Sequence, residues 1–312
     1  IPNIASDTAN IRRNAAFIME MMKRRGIGQV QLLEANERST PPAIYGEVIT
    51  PGAKQTVVFY AHYDGQPVNP AQWANGLQPF QPALYTAPIP EGGQPLNDPS
   101  ANAAFDPQSR LYGRSASDDK AGVSAILFAW EAISSAKLKV PMNIKFFFEG
   151  EEEAGSPHLG EILDKHKALL QSDGWIICDG PVHQSGRKLI AYGVRGDAHV
   201  ELTVYGPKRP LHSGHYGNWA PNPAMELSKL LAGMKDDKGR VTIAGFYDDV
   251  TPLTETEKKA LAAVPPVEAQ MKKELGFTQE EMPGSSLMEA INLPSLNING
   301  MNSANVGKWL QT

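Results

Sequence analysis

Four carboxylates crowd into five positions of the stretch KFFFEGEEEAG, residues 145–155: Glu149, Glu151, Glu152 and Glu153. They follow Phe146, Phe147 and Phe148, a run that reads as a strand buried on both faces. Carboxylates this close raise one another's pKa and destabilise the turn unless positive charge sits among them. Either the side chains fan out into water or a cation is held there. Three further segments carry groups of metal-ligating type. VVFYAHYDG delivers His62 and Asp64, WIICDG delivers Asp179, and SDDK places Asp118 and Asp119 before a helix.

Each piece has an ordinary explanation when taken alone. His62 suits a hydrogen-bonded histidine at a strand end, SDDK a helix cap, EGEEE a solvated acidic turn and Asp179 a turn residue. Their joint position decides the matter. In an open parallel α/β sheet, ligands bind outside the carboxyl ends of the strands, and all these groups would land on that edge. Oxygen ligands with one or two histidines suit Zn²⁺ or Mn²⁺ equally, whereas Ca²⁺ wants more oxygens and no imidazole. No Gly-x-Ser-x-Gly elbow of a serine hydrolase is present.

The elements that must position these groups follow from pattern. Up to about residue 190, strand-like runs alternate with helical ones, as in a mainly parallel sheet with helices on both faces. AAFIMEMMKRRG is an amphipathic helix capped by Ser6 or Asp7, and QVQLLE and AIYGEVI are short strands. TVVFYAHYDG, NIKFFFEG and DGWIICDG read as three buried strands. SDDKAGVSAILFAWEAISSAK and PHLGEILDKHKALL read as helices between them. Residues 66–110, rich in Pro, Gly, Asn and Gln, read as a long surface excursion. Near Gly193 the pattern changes. AHVELTVYG and SLNINGM alternate like half-exposed strands, NPAMELSKLLAGMK is helical and 251–290 is charged and helix-rich. The expectation is a catalytic domain over 1–192 and a smaller α+β domain over 193–312.

Bulk numbers narrow the class. With 41% hydrophobic and 20% charged residues the chain is globular in type, and a net charge of −5 gives nucleic acid no reason to bind. No apolar run approaches the ~18–20 residues that span a bilayer. The single Cys178 excludes an internal disulfide and a cysteine-based zinc cluster. No signal peptide is visible, both ends read as cut, and the compartment stays open between cytoplasm and periplasm or secretion.

Five ordered motifs, HYDGQP, YGRSASDDKAG, EGEEEAGS, CDG and LHSGHYG, together resemble the M20 family of dinuclear metallopeptidases, on the side of its carnosinase-like dipeptidases. The resemblance implies that His62 and Asp179 bind one metal and Glu153 the other, that Asp118 bridges the two metals, and that the Asp118–Asp119 peptide is cis. It makes Asp64 the group that orients His62, and Glu152 the general base. Glu149 and Glu151 are left as surface or outer groups. His212 would stabilise the oxyanion in a partner subunit's site, from a lid and dimerisation domain whose NPAMELSKLLAGM helix and adjacent strand form the homodimer interface. A last histidine ligand and an arginine for the substrate carboxylate are expected beyond Thr312, leaving residues 1–312 alone weakly active or inactive. The implied function is a dinuclear hydrolase, with Zn²⁺ or Mn²⁺, of amide bonds in dipeptides or short peptides. The alternatives are an N-acyl-amino-acid deacylase of the same family and a non-catalytic metal-containing binding protein.

Overall fold

The computed structural model describes residues 1–37, 39–74, 76–96, 106–180 and 182–303. The chain divides into two compact units, Ile1–Pro181 and Val182–Thr312. The segment beyond residue 303, read from the sequence as lacking a closing element, lies outside the described residues.

The first unit opens with helix α1 (Thr8–Arg24). Asp7 is its cap, accepting the Asn10 N–H at 3.1 Å. Strands β1 (Gly28–Leu33), β2 (Ala43–Val48) and β3 (Thr56–His62) follow. The excursion after β3 forms one small antiparallel pair, β4 (Ala83–Tyr85) with β5 (Arg110–Tyr112). Helix α2 (Lys120–Ser135), strand β6 (Asn143–Glu149), helix α3 (Leu159–Lys165) and strand β7 (Gly174–Ile177) complete the unit. The sheet order is β1-β2-β6-β3-β7: β6, β3 and β7 are parallel, and β1 and β2 extend them antiparallel.

This order dictates where the helices go. The chain moves from β3 to β6 through α2, then back past β3 to β7 through α3. Two crossovers of one hand but opposite direction must lie on opposite faces. The core divides accordingly. Phe146 and Phe148 pack with Ile11, Ile18, Val123 and Leu127 of α1 and α2. Phe147 packs on the other face with Tyr45, Tyr60 and Ile162 of α3. The three phenylalanines are buried to 1% exposure or less, as a strand covered on both faces requires.

The third strand differs from its expected burial. Among the described residues β7 is an edge strand whose sole neighbour is β3, and Trp175, Ile176 and Ile177 are 37%, 47% and 58% exposed. An apolar run predicts sheet membership but not which flank is covered.

The second unit contains α4 (Ser213–Tyr216), α5 (Pro223–Ala232), α6 (Glu255–Ala262), α7 (Glu268–Leu275) and α8 (Leu287–Ile291). Asn222 caps α5, and capping boxes Thr254/Glu257 and Ser286/Glu289 start α6 and α8. The strands expected in AHVELTVYG and SLNINGM do not form among the described residues, where the ladder contact is the single bridge Lys235–Val241. An extended run becomes a strand only with a neighbour about 4.8 Å away to take its backbone groups. Val200 and Tyr205 stay 78% and 88% exposed.

Candidate metal centre

β3 and β6 run parallel in a register that pairs His62 with Glu149, and their following segments lead to helices on opposite faces. Such a divergence opens a crevice at the carboxyl edge of the sheet. His62 stands in it, with no solvent exposure. Its Nε2 lies 3.0 Å from Asp118 Oδ1, 3.7 Å from Asp179 Oδ2 and 3.8 Å from Glu152 Oε2. Ligand atoms of His62, Glu152 and Asp179 all lie within 4.8 Å of one another, and those of His62, Asp118 and Glu153 do so as well.

Two buried aspartates fix this arrangement from beneath. Asp64 is fully buried. Its Oδ1 accepts the Glu152 backbone N–H at 3.1 Å and its Oδ2 the Glu153 N–H at 3.0 Å. One carboxylate thus holds the short 3-10 turn Glu152–Ala154, and Oδ1 also lies 3.3 Å from His62 Nδ1, off the line of a hydrogen bond. Asp119 caps α2 by accepting the Gly122 N–H at 3.1 Å, and its other oxygen accepts the His62 backbone N–H, also at 3.1 Å. The Asp118–Asp119 peptide is cis.

The charges are unbalanced without a cation. Burial pulls the His62 imidazole down, but the close negative charge of Asp64, then of Asp179 and Glu152, outweighs it and raises His62 to about 9. Burial raises Glu152. His62 opposes that shift, while Asp179, Glu153 and Asp64 add to it. Asp179 is raised by burial against the pull of His62, and Asp119 by burial to about 6. A single imidazole faces the carboxylates of Asp118, Glu152 and Asp179, with Glu153 alongside. A nitrogen and several oxygens converging at ligand distance fit a divalent ion of the Zn²⁺ or Mn²⁺ type.

Several participants escaped the sequence reading. Glu149 and Glu151 are buried, at 2% and 4% exposure, so neither is a surface group. Glu149 accepts from Tyr60 Oη at 2.7 Å. Glu151 binds His158 through Nδ1 at 2.8 Å and its backbone N–H at 3.2 Å, fastening the start of α3 behind the glutamate turn. Gln66 donates to Glu153 Oε2 at 2.6 Å. Strand parity carried the signal for Glu149: it shares a face with Phe147, away from Phe146 and Phe148. A recess of about 340 Å³ on that face is lined by Tyr60, Phe147, Glu149, Glu152, Trp175 and Asp179, among others. His212 belongs to the second unit. There it caps α4 by accepting the Gly214 N–H on Nδ1 at 3.0 Å, with its ring 4.8 Å from that of His215.

An α/β sheet with a histidine–carboxylate cluster at its carboxyl edge has the make-up of a site for divalent metal. Comparison with known proteins makes this specific. Residues 58–292 match the model of peptidase family M20/M25/M40, and the chain belongs to that family. It is 32% identical over 286 residues to the human Beta-Ala-His dipeptidase, covering 89% of this chain and 51% of that protein. It is 27% identical over 341 residues to the Cys-Gly metallodipeptidase DUG1 of Candida albicans, covering 100% and 63%. Among solved structures, an M20 family metallo-carboxypeptidase from Sulfolobus solfataricus superposes with a TM-score of 0.70 at 28% identity, covering all of this chain and 65% of that one. The chain therefore spans between about half and two thirds of the length of these relatives.

Proposed function

We propose that this chain carries the metal-binding part of a dinuclear metal-dependent hydrolase that cleaves amide bonds of dipeptides or short peptides. The observation that carries the reading is the convergence of Asp118, Glu152 and Asp179 on the buried Nε2 of His62, with Glu153 beside them. His62 and Asp179 would hold one ion, Glu153 the other, and Asp118 would bridge. Bound there, two divalent cations polarise a scissile carbonyl and lower the pKa of water towards ~7. The chain's own residues do the rest. Glu152, with a carboxyl raised towards the range a general base needs, takes the water proton and returns it to the leaving amine. Asp64 keeps Glu152 and Glu153 in register with His62 through the two backbone N–H groups it accepts. His212 supplies a donor to the developing oxyanion, in a homodimer built through the second unit. The metal is Zn²⁺ or Mn²⁺. The relationship to a Beta-Ala-His dipeptidase and a Cys-Gly metallodipeptidase favours dipeptides over N-acyl amino acids as substrates.

A substrate panel tests this reading. Full-length protein with Zn²⁺ or Mn²⁺ should cleave dipeptides and lose that activity to chelator, and exclusive cleavage of N-acetyl amino acids would move the function to deacylation. In Glu152→Gln the metal content should persist while turnover falls by about 10²–10⁴-fold. Unchanged turnover would remove Glu152 from the mechanism.

A further inference from the structure

The segment Ile1–Ile4 is tied to helix α1 through Pro2, and through Ile1, Asn3 and Ile4 to the segments that carry the metal centre. Lys120 Nζ donates to Ile1 O at 3.1 Å, Asn14 Nδ2 donates to Pro2 O at 2.7 Å, and Ile4 bridges in parallel to Gly65. Asn3 is the middle of this strap and has no solvent exposure. Its carbonyl accepts the Gly65 N–H at 2.9 Å. Its Nδ2 donates to Tyr63 O and to Ser115 Oγ, both at 2.9 Å. Those partners lie on two different segments: Tyr63 and Gly65 flank Asp64 just after His62, and Ser115 leads into Asp118 and Asp119.

Ser115 is adapted to this contact. It is 4% exposed and sits at φ +60°, a conformation unfavourable for a residue with a Cβ. Its Oγ lies 3.4 Å from Asp64 O, and its backbone carbonyl accepts the Lys120 N–H at 3.2 Å in the first turn of α2. The approach at Gly65 leaves no room for a side chain. A Cβ there would stand 2.2 Å from Ser115 Oγ and 3.1 Å from Asn3 Nδ2. A glycine, a buried amide and a serine in the left-handed region are thus packed around one point. That point joins the two arms whose tips meet where Asp118 Oδ1 faces His62 Nε2.

We infer that Asn3, acting through Ser115, is a positioning residue for the metal centre: it sets the spacing between the His62–Asp64 arm and the Asp118–Asp119 arm. The inference rests on the metal-centre reading above. It assigns Asn3 no contact with substrate or metal. Its role is to restrict the two arms to the separation at which Asp118 and His62 share an ion. Removing groups that orient ligands from outside typically lowers metal affinity about 10–100-fold.

The test is Co²⁺ and Zn²⁺ titration of the full-length, metal-free protein and three variants, reading affinity and the visible Co²⁺ spectrum. Asn3→Ala keeps the backbone bond to Gly65 but loses both side-chain bonds. Ser115→Gly loses the hydroxyl while relieving the positive φ, so it should fold at least as readily as the parent. Asn143→Ala is the stability control: Asn143 accepts from Thr50 N–H and donates to Thr56 Oγ1, at the opposite end of β3 from His62. The expected result is affinity weakened about tenfold or more and an altered Co²⁺ spectrum in Asn3→Ala and Ser115→Gly, with Asn143→Ala unchanged. Parent-like affinity and spectrum in folded Ser115→Gly overturn the inference even if Asn3→Ala fails to fold. Equal weakening in Asn143→Ala also overturns it, by showing a general effect of stability. No ion bound by the parent would sink the metal-centre reading itself, and this inference with it.

Discussion

Asp64→Asn is the sharpest probe of how the centre is assembled, because it changes charge and hydrogen bonding with almost no change in shape. The native carboxylate accepts two backbone N–H groups, from Glu152 at 3.1 Å and Glu153 at 3.0 Å. Hydrogen bonds to a charged group contribute roughly 1.5–3 kcal/mol each, and a neutral one about 1. An asparagine keeps one bond in its neutral form and turns its NH₂ towards the second N–H. The gross loss is then about 2–5 kcal/mol. Relief of repulsion within the carboxylate cluster offsets part of this in the metal-free protein, leaving about 1–3 kcal/mol. With metal bound the offset disappears, because the cations neutralise that repulsion. Affinity should therefore fall by about 10–100-fold, equivalent to about 1.4–2.7 kcal/mol. Competition with a chromophoric chelator measures the affinity, and urea unfolding of the metal-free protein measures the stability. Affinity within threefold of the parent, alongside the full stability loss, would refute the argument. Asp64 would then cap the turn without serving the metal.

Three further outcomes follow from the same geometry. Asp119 holds its proton more tightly folded, at about 6, than at its ordinary 3.8. The stability it contributes is thus fully present below about pH 3.8 and is lost as pH rises through about 6, and urea midpoints of the metal-free protein should show this pH dependence vanish in Asp119→Asn. Phe147→Ala, at a site with no exposure and a partner in Tyr60, should cost about 3–5 kcal/mol in unfolding free energy. Gly122→Ala places a Cβ 2.4 Å from Asp119 Oδ1 and 2.6 Å from Cys178 O. It should weaken metal binding more than Gly160→Ala, where nothing lies within 4 Å of the new Cβ, as parallel metal titrations would reveal.

The clustering of the candidate ligands was legible because it was written in residue type and strand position. His62, Asp118, Glu152, Glu153 and Asp179 each follow a recognisable strand or precede a helix, and the parallel pairing of β3 with β6 and β7 brings their ends together. The FFF run was legible for the same reason, since period-2 geometry sends Phe147 to one face and its neighbours to the other. The supports were harder to read. Asp64 looks like part of a turn, yet its partners are backbone N–H groups 88 and 89 residues away, which no local pattern encodes. Asn3 is a polar residue in an unremarkable opening tetrapeptide, and its burial arises wholly from tertiary packing. The exposed β7 and the unpaired extended runs of the second unit share one cause. Hydrophobic alternation announces a surface suited to pairing or covering, while the partner is set elsewhere in the chain.

The long excursion between Gln66 and Tyr112 has a consequence for how this scaffold can change. Its two ends are pinned close together, at Gly65 by the Asn3 carbonyl and at Ser115 by the Asn3 side chain. Closing a loop between fixed ends costs free energy only as the logarithm of its length, about 0.6 kcal/mol for each doubling. Length changes that keep the β4–β5 pair and the Gln66–Glu153 contact should therefore leave the spacing of His62 and Asp118 unchanged at little cost in stability. The excursion is a place where selection can write new sequence beside a metal centre without rebuilding it, and where a protein engineer could graft a peptide-recognising loop.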